Sequence, residues 1–323
     1  MPDLRPVSSQ DIEQINNAAQ KFINNVEQVI VNKEETIKLI FVALLSEGHI
    51  LIEDVPGLGK TMMAKAATRS LGCSFKRIQC TPDLLPSDIT GVNYFNQKTA
   101  EFMFHPGPIM ANIVVVDEIN RAMPRTQSCL LEAMQEHQIT VDLATLLLPR
   151  PFLIIATQNP IELEGTFPLP EAQLDRFLMR LRIGYPDQEE EEKILSRFQE
   201  INPLDDLTKI TDARELMELI KICRHIHISA DVLKYAVQLV RKTRLHKDIK
   251  LGASPRATLG LQAAAQARAA VEGRTFVIPD DIKALAIPVL AHRLFLTTEA
   301  RLRGKTDEAV IADIIEETVV PIA

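Results

Sequence analysis

The sequence predicts a three-layer α/β fold in which helices cover a parallel sheet, followed by an all-helical domain. Three observations carry that prediction. Short apolar runs at Ile50–Ile52, Phe75–Ile78, Ile113–Val116 and Phe152–Ala156 alternate with stretches of helical period. These runs are continuous rather than alternating, as expected of strands covered on both faces. Beyond Tyr185-Pro186-Asp187 nearly everything reads as helix, which divides the chain into a core, residues 1–185, and a helical domain, residues 186–323.

Each element follows from its local pattern. Ile12, Ile15, Ala19, Phe22, Ile23, Val26 and Ile30 recur at helical spacing behind Ser8 and Asp11, a capping-box pair, so the chain opens with an amphipathic helix. Asn32 is the expected cap of a second helix, with Glu35 three residues on and Ile37, Ile40, Phe41 and Leu44 as its stripe. Two polar-tipped extended stretches, Val92 to Phe104 and Gln138 to Leu148, read as β-hairpins inserted between core elements. In the second domain the acidic run Glu189 to Glu192 begins a helix, and later helices are expected to start near Asp212, Ser229, Ser254-Pro255 and Pro279-Asp280, where capping residues and first-turn prolines supply the starts.

Composition excludes several classes of function. With 323 residues the chain suits about two domains. Lys+Arg 36 against Asp+Glu 43 gives −7, leaving no bulk positive field, so a nucleic-acid partner needs a local basic groove. Cys73, Cys80, Cys129 and Cys223 lack the spacing of a zinc site or a disulfide framework, which suits a reducing compartment. The first residues lack the basic-then-apolar pattern of a targeting segment, and the most apolar stretch, Leu143 to Ala156, is broken by Pro149-Arg150-Pro151. The expectation is a cytoplasmic protein without a membrane segment. His225-Ile226-His227 lacks the further ligands of a metal site and reads as surface. Cys129 reads as core, and the Glu189 to Glu192 run as a solvated first turn.

The strongest chemical signal is the stretch Asp54, Val55, Pro56, Gly57, Leu58, Gly59, Lys60, Thr61 and Met62, between a predicted strand and a predicted helix. Its glycines let backbone N–H groups turn towards a phosphate, and the helix N-terminus adds positive dipole character. Lys60 would reach the β- and γ-phosphates, and Thr61 would ligate Mg²⁺. Asp54 departs from the general pattern, which has glycine there, and sets an acidic side chain near the phosphates. Further on, Ile113–Val116 leads into Asp117 and Glu118, where such a protein holds its metal and its water. Asp117 would hold Mg²⁺ and Glu118 would orient the attacking water. A third run ends in Ala156-Thr157-Gln158-Asn159-Pro160, whose Asn159 amide could reach the water or the γ-phosphate between them.

Gly57-Leu58-Gly59-Lys60-Thr61, Val116-Asp117-Glu118-Ile119-Asn120-Arg121-Ala122, Ala156-Thr157-Gln158-Asn159-Pro160, Leu169-Pro170-Glu171-Ala172-Gln173-Leu174-Asp175-Arg176-Phe177 and Gly252-Ala253-Ser254-Pro255-Arg256 together resemble the MoxR family of AAA+ ATPases. The likeness spans nearly the whole chain, with its motifs in family order, and family members also lack the first glycine. It implies an AAA+ P-loop NTPase with an αβα core and a helical lid, binding ATP and Mg²⁺ and working as a homo-oligomeric ring, usually a hexamer. Asn159 would be the first sensor, Arg176 the arginine finger given to a neighbour's nucleotide, and Arg256 the second sensor, on the nucleotide of its own chain. Arg121 and Arg180 are further candidates for contacts across the subunit boundary. The two hairpins would be the helix-2 and pre-sensor-1 inserts.

The resemblance also implies ATP hydrolysis coupled to chaperone-like remodelling or maturation of a client protein complex, often with a partner carrying a von Willebrand factor type A domain. Two alternatives stand beside it: an AAA+ nucleic-acid motor, and a nucleotide-dependent structural switch with little turnover. The hairpin tips bear on the first. Asp142-Leu143-Ala144-Thr145 has no cation and the other tip offers only Lys98, poor equipment for tracking phosphates.

Overall fold

The computed structural model describes residues 7–55, 57–142, 144–160, 165–197 and 203–320. Helix α1 (Ser9–Val26) begins at a reciprocal cap, the Ser8 amide bonding Asp11 Oδ2 at 2.8 Å and the Asp11 amide bonding Ser8 Oγ at 3.2 Å. Helix α2 (Glu34–Leu45) starts without a side-chain cap: Lys33, not Asn32, holds the cap position, and Asn32 sits in the left-handed region at φ 50° to turn the chain. The core continues through β1 (His49–Glu53), α3 (Lys60–Leu71), β2 (Phe75–Gln79), α4 (Pro86–Thr90), β3 (Gly91–Asn96), β4 (Glu101–Pro106), β5 (Ile113–Asp117), α5 (Pro124–Glu136), β6 (Gln138–Val141), β7 (Ala144–Leu147), β8 (Leu153–Gln158), α6 (Glu171–Leu174) and β9 (Phe177–Leu181).

Five strands form one parallel sheet in the order β2-β5-β8-β1-β9. Alternation explains their continuous apolar runs. Ile50, Ile52, Ile113, Val115, Leu153 and Ile155 pack on the face covered by α1, α2 and α3, while Leu51, Val114, Val116, Ile154 and Ala156 pack on the face covered by α5. The hairpins β3–β4 and β6–β7 are antiparallel and leave the sheet; Asn93 Nδ2 donates to Asp142 Oδ2 at 2.7 Å and ties one to the other.

The remaining elements are α7 (Gln188–Arg197), α8 (Ala213–Cys223), α9 (Ala230–Leu245), β10 (Ile249–Leu251), α10 (Pro255–Val271), α11 (Pro279–Leu290), β11 (Phe295–Leu296), α12 (Thr298–Leu302) and α13 (Asp307–Glu316). This part is helical apart from the short antiparallel pair β10–β11 and a single bridge between His227 and Phe276. The run Glu189 to Glu192 opens α7, but one of its members turns inward. Glu190 is buried, exchanges capping bonds with Asp187 and pairs with Lys33 at 3.4 Å. His225 and His227 are exposed. The four cysteines are free, and burial pushes their thiols up, to about 11 at Cys73 and Cys129 and about 12 at Cys80 and Cys223, so they stay protonated.

Strand β9 closes the sheet, and no apolar run announces it because Arg180 interrupts it. Its outer edge is covered rather than exposed. The guanidinium of Arg293, just after α11, donates to the carbonyls of Asp175, Phe177 and Leu178, and His292 Nε2 donates to the Phe177 carbonyl at 3.0 Å. Arg180 itself pairs with Glu53, Asp307 and Glu308 at 2.6 to 3.1 Å, its side chain 11% exposed. It is therefore committed within its own chain, tying β1 and β9 to α13, and is not available across a subunit boundary.

Two buried histidines make this packing sensitive to acid. His49 Nδ1 accepts from the Ile154 amide and Nε2 faces the Met134 carbonyl, each at 3.0 Å, so only the neutral ring fits; burial pulls its pKa down to about 4. A base depressed on folding stabilises fully above its unfolded pKa of 6.5 and loses that stability as pH falls towards 4. His49 alone should lower the unfolding free energy by about 2 kcal/mol between pH 6.5 and 5. Urea titrations at the two pH values check this, and equal midpoints would contradict it.

Candidate active site

The phosphate loop joins β1 to α3. Gly57 and Gly59 have φ of 89° and 74°, conformations that cost other residues strain, and Gly59 occupies the cap position of α3. The first turn of α3 has neither an acidic residue nor a side-chain cap, so its amides remain for an anion. Lys60 Nζ rests on the Asp54 carbonyl at 2.6 Å, with the Gln158 carbonyl at 3.4 Å. Burial pulls the Lys60 pKa down, opposed by the carboxylates of Asp54, Asp117, Glu118 and Glu53, as suits an ammonium group awaiting a phosphate. Pro56 lies outside the described residues.

Asp54 does not face the phosphates. Its Oδ2 accepts from the Ile183 and Gly184 amides at 2.8 Å each, and Oδ1 from the Val55 amide at 3.0 Å. Three amide donors satisfy the carboxylate. The acidic residue thus fastens the loop to the segment after β9 instead of crowding the anion.

At the end of β5, Asp117 is buried and receives three side chains: Thr61 Oγ1 at 3.2 Å from both carboxylate oxygens, Thr157 Oγ1 at 3.3 Å and Arg77 Nε at 2.6 Å. Glu118 follows in the left-handed region at φ 56°, strain that a non-glycine residue keeps only where its surroundings enforce it. The Glu118 amide is held by Thr157 Oγ1 at 2.9 Å; its carboxylate meets Gln79 Nε2 at 3.1 Å and Arg121 Nε at 3.3 Å. Arg77 and Gln79 belong to no motif, and Thr157 belongs to one in which only Asn159 is given a role. They reach the site because β2 and β8 flank β5 and end level with it. Asn159 follows the last residue of β8, between β5 and β1, and its carbonyl receives Asn120 Nδ2 at 3.4 Å.

The donor set fits Mg²⁺, which favours one or two carboxylates together with substrate phosphates over an all-protein cage. Thr61 and Asp117 already lie in contact, and among the described residues no group of three or more His, Cys, Asp or Glu gathers elsewhere as a metal site. Beside the loop a cavity of about 420 Å³ opens, lined by Val29, Val31, Leu58, Met62, Tyr185 and Ile194 among others. Such largely apolar walls, with Lys33 among the lining, can take a flat heterocycle. No local pattern announces this pocket, since its walls come from segments about 150 residues apart.

Arg176 and Arg256 lie elsewhere. Phe177 pairs with His49 at the start of β1, whereas the phosphate loop follows Glu53 at its end, so Arg176 stands roughly 15 Å along the sheet from the loop. It is half-buried and has no side-chain hydrogen bond or ion pair among the described residues. It lines a polar hollow of about 300 Å³ with Glu132, Gln135 and Glu136. Asp175, the residue before it, is held by Arg293 Nε at 2.8 Å and Ser254 Oγ at 2.9 Å.

That last bond corrects two expectations. The Ser254 hydroxyl does not cap α10, and Arg256 is not beside its own phosphate loop. The far end of α10 meets the start of α2 near the cavity, through Arg268–Glu35 at 2.6 Å and Lys38–Glu272 at 3.1 Å. Arg256, roughly 18 Å of helix away from Arg268, shares the opposite end of the sheet with Arg176. Arg256 is exposed there, away from the phosphate loop of its own chain.

A glycine loop between a central parallel strand and a helix, with acids closing the neighbouring strand, defines a P-loop nucleotide hydrolase, and the appended helical domain makes it an ATPase of the AAA class. The AAA description, ATPase family associated with various cellular activities, matches residues 49–179, and the AAA lid domain matches residues 241–314. The chain is 48% identical to the uncharacterized protein YeaC of Bacillus subtilis over 94% of both chains, and 41% identical to Chaperone MoxR1 of Mycobacterium tuberculosis over 94% of this chain and 82% of that one. It matches the crystal structure of a candidate ATPase from Cytophaga hutchinsonii with a TM-score of 0.90 and 36% identity, covering 97% of this chain and 98% of that one. The chain belongs to the MoxR family of AAA ATPases.

Proposed function

We propose that this protein is a Mg²⁺-dependent ATP hydrolase that works as a ring, hexameric by family resemblance, and spends turnover on remodelling or maturing a client protein complex. One observation carries the reading: Lys60, Thr61, Asp117 and Glu118 gather at one end of the sheet, while Arg176 and Arg256 stand at the other. No chain can complete its own site, so catalysis needs a neighbour whose arginines face its triphosphate. Thr61 and Asp117 would hold Mg²⁺, which when bound draws charge from the phosphate oxygens. Lys60 and the loop amides bind the phosphates, Glu118 takes up the water proton, and Asn159 orients the water.

The chaperone reading draws on a relative named Chaperone MoxR1, and the von Willebrand factor type A partner remains part of it by resemblance. The first hairpin suits a protein client better than a nucleic acid. Phe95 and Phe102 stack edge to face at 5.4 Å, both more than half exposed, and the only cation at that tip is Lys98. Among the described residues no helix is long and apolar enough to cross a membrane, and the four free thiols suit the cytoplasm.

Sedimentation with and without ATP, paired with phosphate release at rising protein concentration, tests the reading. Activity per subunit should climb steeply where the ring assembles. Equal activity per subunit in the monomer range would end the shared-site reading, and stimulation by DNA at physiological salt would favour the nucleic-acid motor.

A further inference from the structure

Asp175 stands between the two arginines. It precedes Arg176 in sequence, and its carboxylate receives Ser254 Oγ at 3.1 and 2.9 Å, two residues before Arg256. Ser254 has the extended backbone of a helix cap and Pro255 follows it in the first turn, yet its hydroxyl gives up the capping bond to α10 for a carboxylate 79 residues away. A diverted cap marks a tertiary contact that outweighs the local one.

Behind Asp175 lies a saturated anchor. Arg293, its side chain 3% exposed, spends its five donors on five acceptors: Asp175 Oδ1 and the carbonyls of Asp175, Phe177, Leu178 and Val289. Every group that could let Asp175 shift is engaged, and the carboxylate is spent on Ser254 and Arg293. The Arg176 guanidinium, without such a partner among the described residues, is left for another molecule.

We propose that Asp175 is a positioning residue which, through Ser254 and against Arg293, holds Arg176 and Arg256 as one rigid pair for the triphosphate of a neighbouring subunit. The proposal rests on the reading of those arginines given above. The Asp175–Ser254 bond is where the core and α10 are joined, so it keeps the spacing of the two cations that face the neighbour.

Asp175→Ala would strand a buried guanidinium and threatens folding, so the test uses Ser254→Ala, which removes only the link. In assembled rings of the full chain, Ser254→Ala should lower kcat by ~10- to 100-fold through misplacement of the arginines, with KM for ATP, ring sedimentation and thermal midpoint little changed. Ser254→Thr, which keeps the hydroxyl, should restore kcat. The decisive comparison is the double variant: if Ser254 acts through Arg256, adding Ser254→Ala to Arg256→Ala should change kcat by less than about twofold. Should Arg176→Ala and Arg256→Ala each leave kcat intact, the reading of the arginines fails. Should they lower it while Ser254→Ala is silent, or while its effect multiplies fully with that of Arg256→Ala, the positioning role of Asp175 fails and that reading stands.

Discussion

Replacing Glu118 with Gln should leave ATP bound and stop its hydrolysis. The substitution keeps the side-chain volume and an oxygen to meet Arg121 and Gln79, and Lys60, which loses one of the carboxylates around it, keeps those of Asp54, Asp117 and Glu53. What goes is the only carboxylate at the strand end free of a metal role, hence the group able to take a proton from water. Positioned acid–base groups of this kind are worth about 10² to 10⁴ in rate, so kcat should fall by that factor while the affinity for a fluorescent ATP analogue holds within about twofold. Lys60→Ala should do the reverse, losing nucleotide first, because its ammonium is held by two carbonyls at 2.6 and 3.4 Å in readiness for phosphate. Quenched-flow phosphate release beside equilibrium binding separates the two. Undiminished phosphate release from Glu118→Gln rings would falsify its role as the base and point to a hydrolytic water held by Asp117 or Asn159 alone.

How much of this was legible in the sequence follows the reach of each interaction. The phosphate loop and the Asp117-Glu118 pair are read directly because each is contiguous and sits at a strand end, where a parallel sheet always presents its loops on one side. Short apolar runs, as expected of strands covered on both faces, mark four of the five sheet strands. Strand β9 was missed because Arg180 breaks its run, and only a three-carboxylate partner set from β1 and α13 makes that arginine tolerable there. Asp54 looked like an intruder at the phosphates, since nothing local tells that the amides of Ile183 and Gly184 fold back upon it. Arg293 had no signal at all, being one arginine after a helix. Its meaning comes from carbonyls about 115 residues earlier. The assignment of Arg256 to its own nucleotide failed for a related reason: a motif fixes which residue is charged, whereas the Ser254–Asp175 bond and the run of α10 fix the end of the sheet it serves.

The largest loss should come from Arg176→Ala in the assembled ring. A cation brought against the transferring phosphoryl group is worth about 10³ to 10⁵ in rate, and here the adjacent carboxylate does not hold it, because Asp175 is engaged by Arg293 and Ser254. The substitution should leave ATP binding unaltered, since Arg176 stands at the opposite end of the sheet from Lys60 and Thr61. It should therefore look like an interface defect that a partner can repair. Neither Arg176→Ala nor Lys60→Ala rings should hydrolyse ATP appreciably alone. Mixed and allowed to exchange, a Lys60→Ala subunit still offers its arginine to an Arg176→Ala subunit whose own phosphate loop is intact. In a head-to-tail ring at equal proportions roughly a quarter of the interfaces then pair a working loop with a working arginine, and activity should rise to about that share of the wild-type rate. A mixture no more active than its two components would mean that Arg176 acts, if at all, within its own chain, and the distance along β1 and β9 leaves it nothing there to act upon.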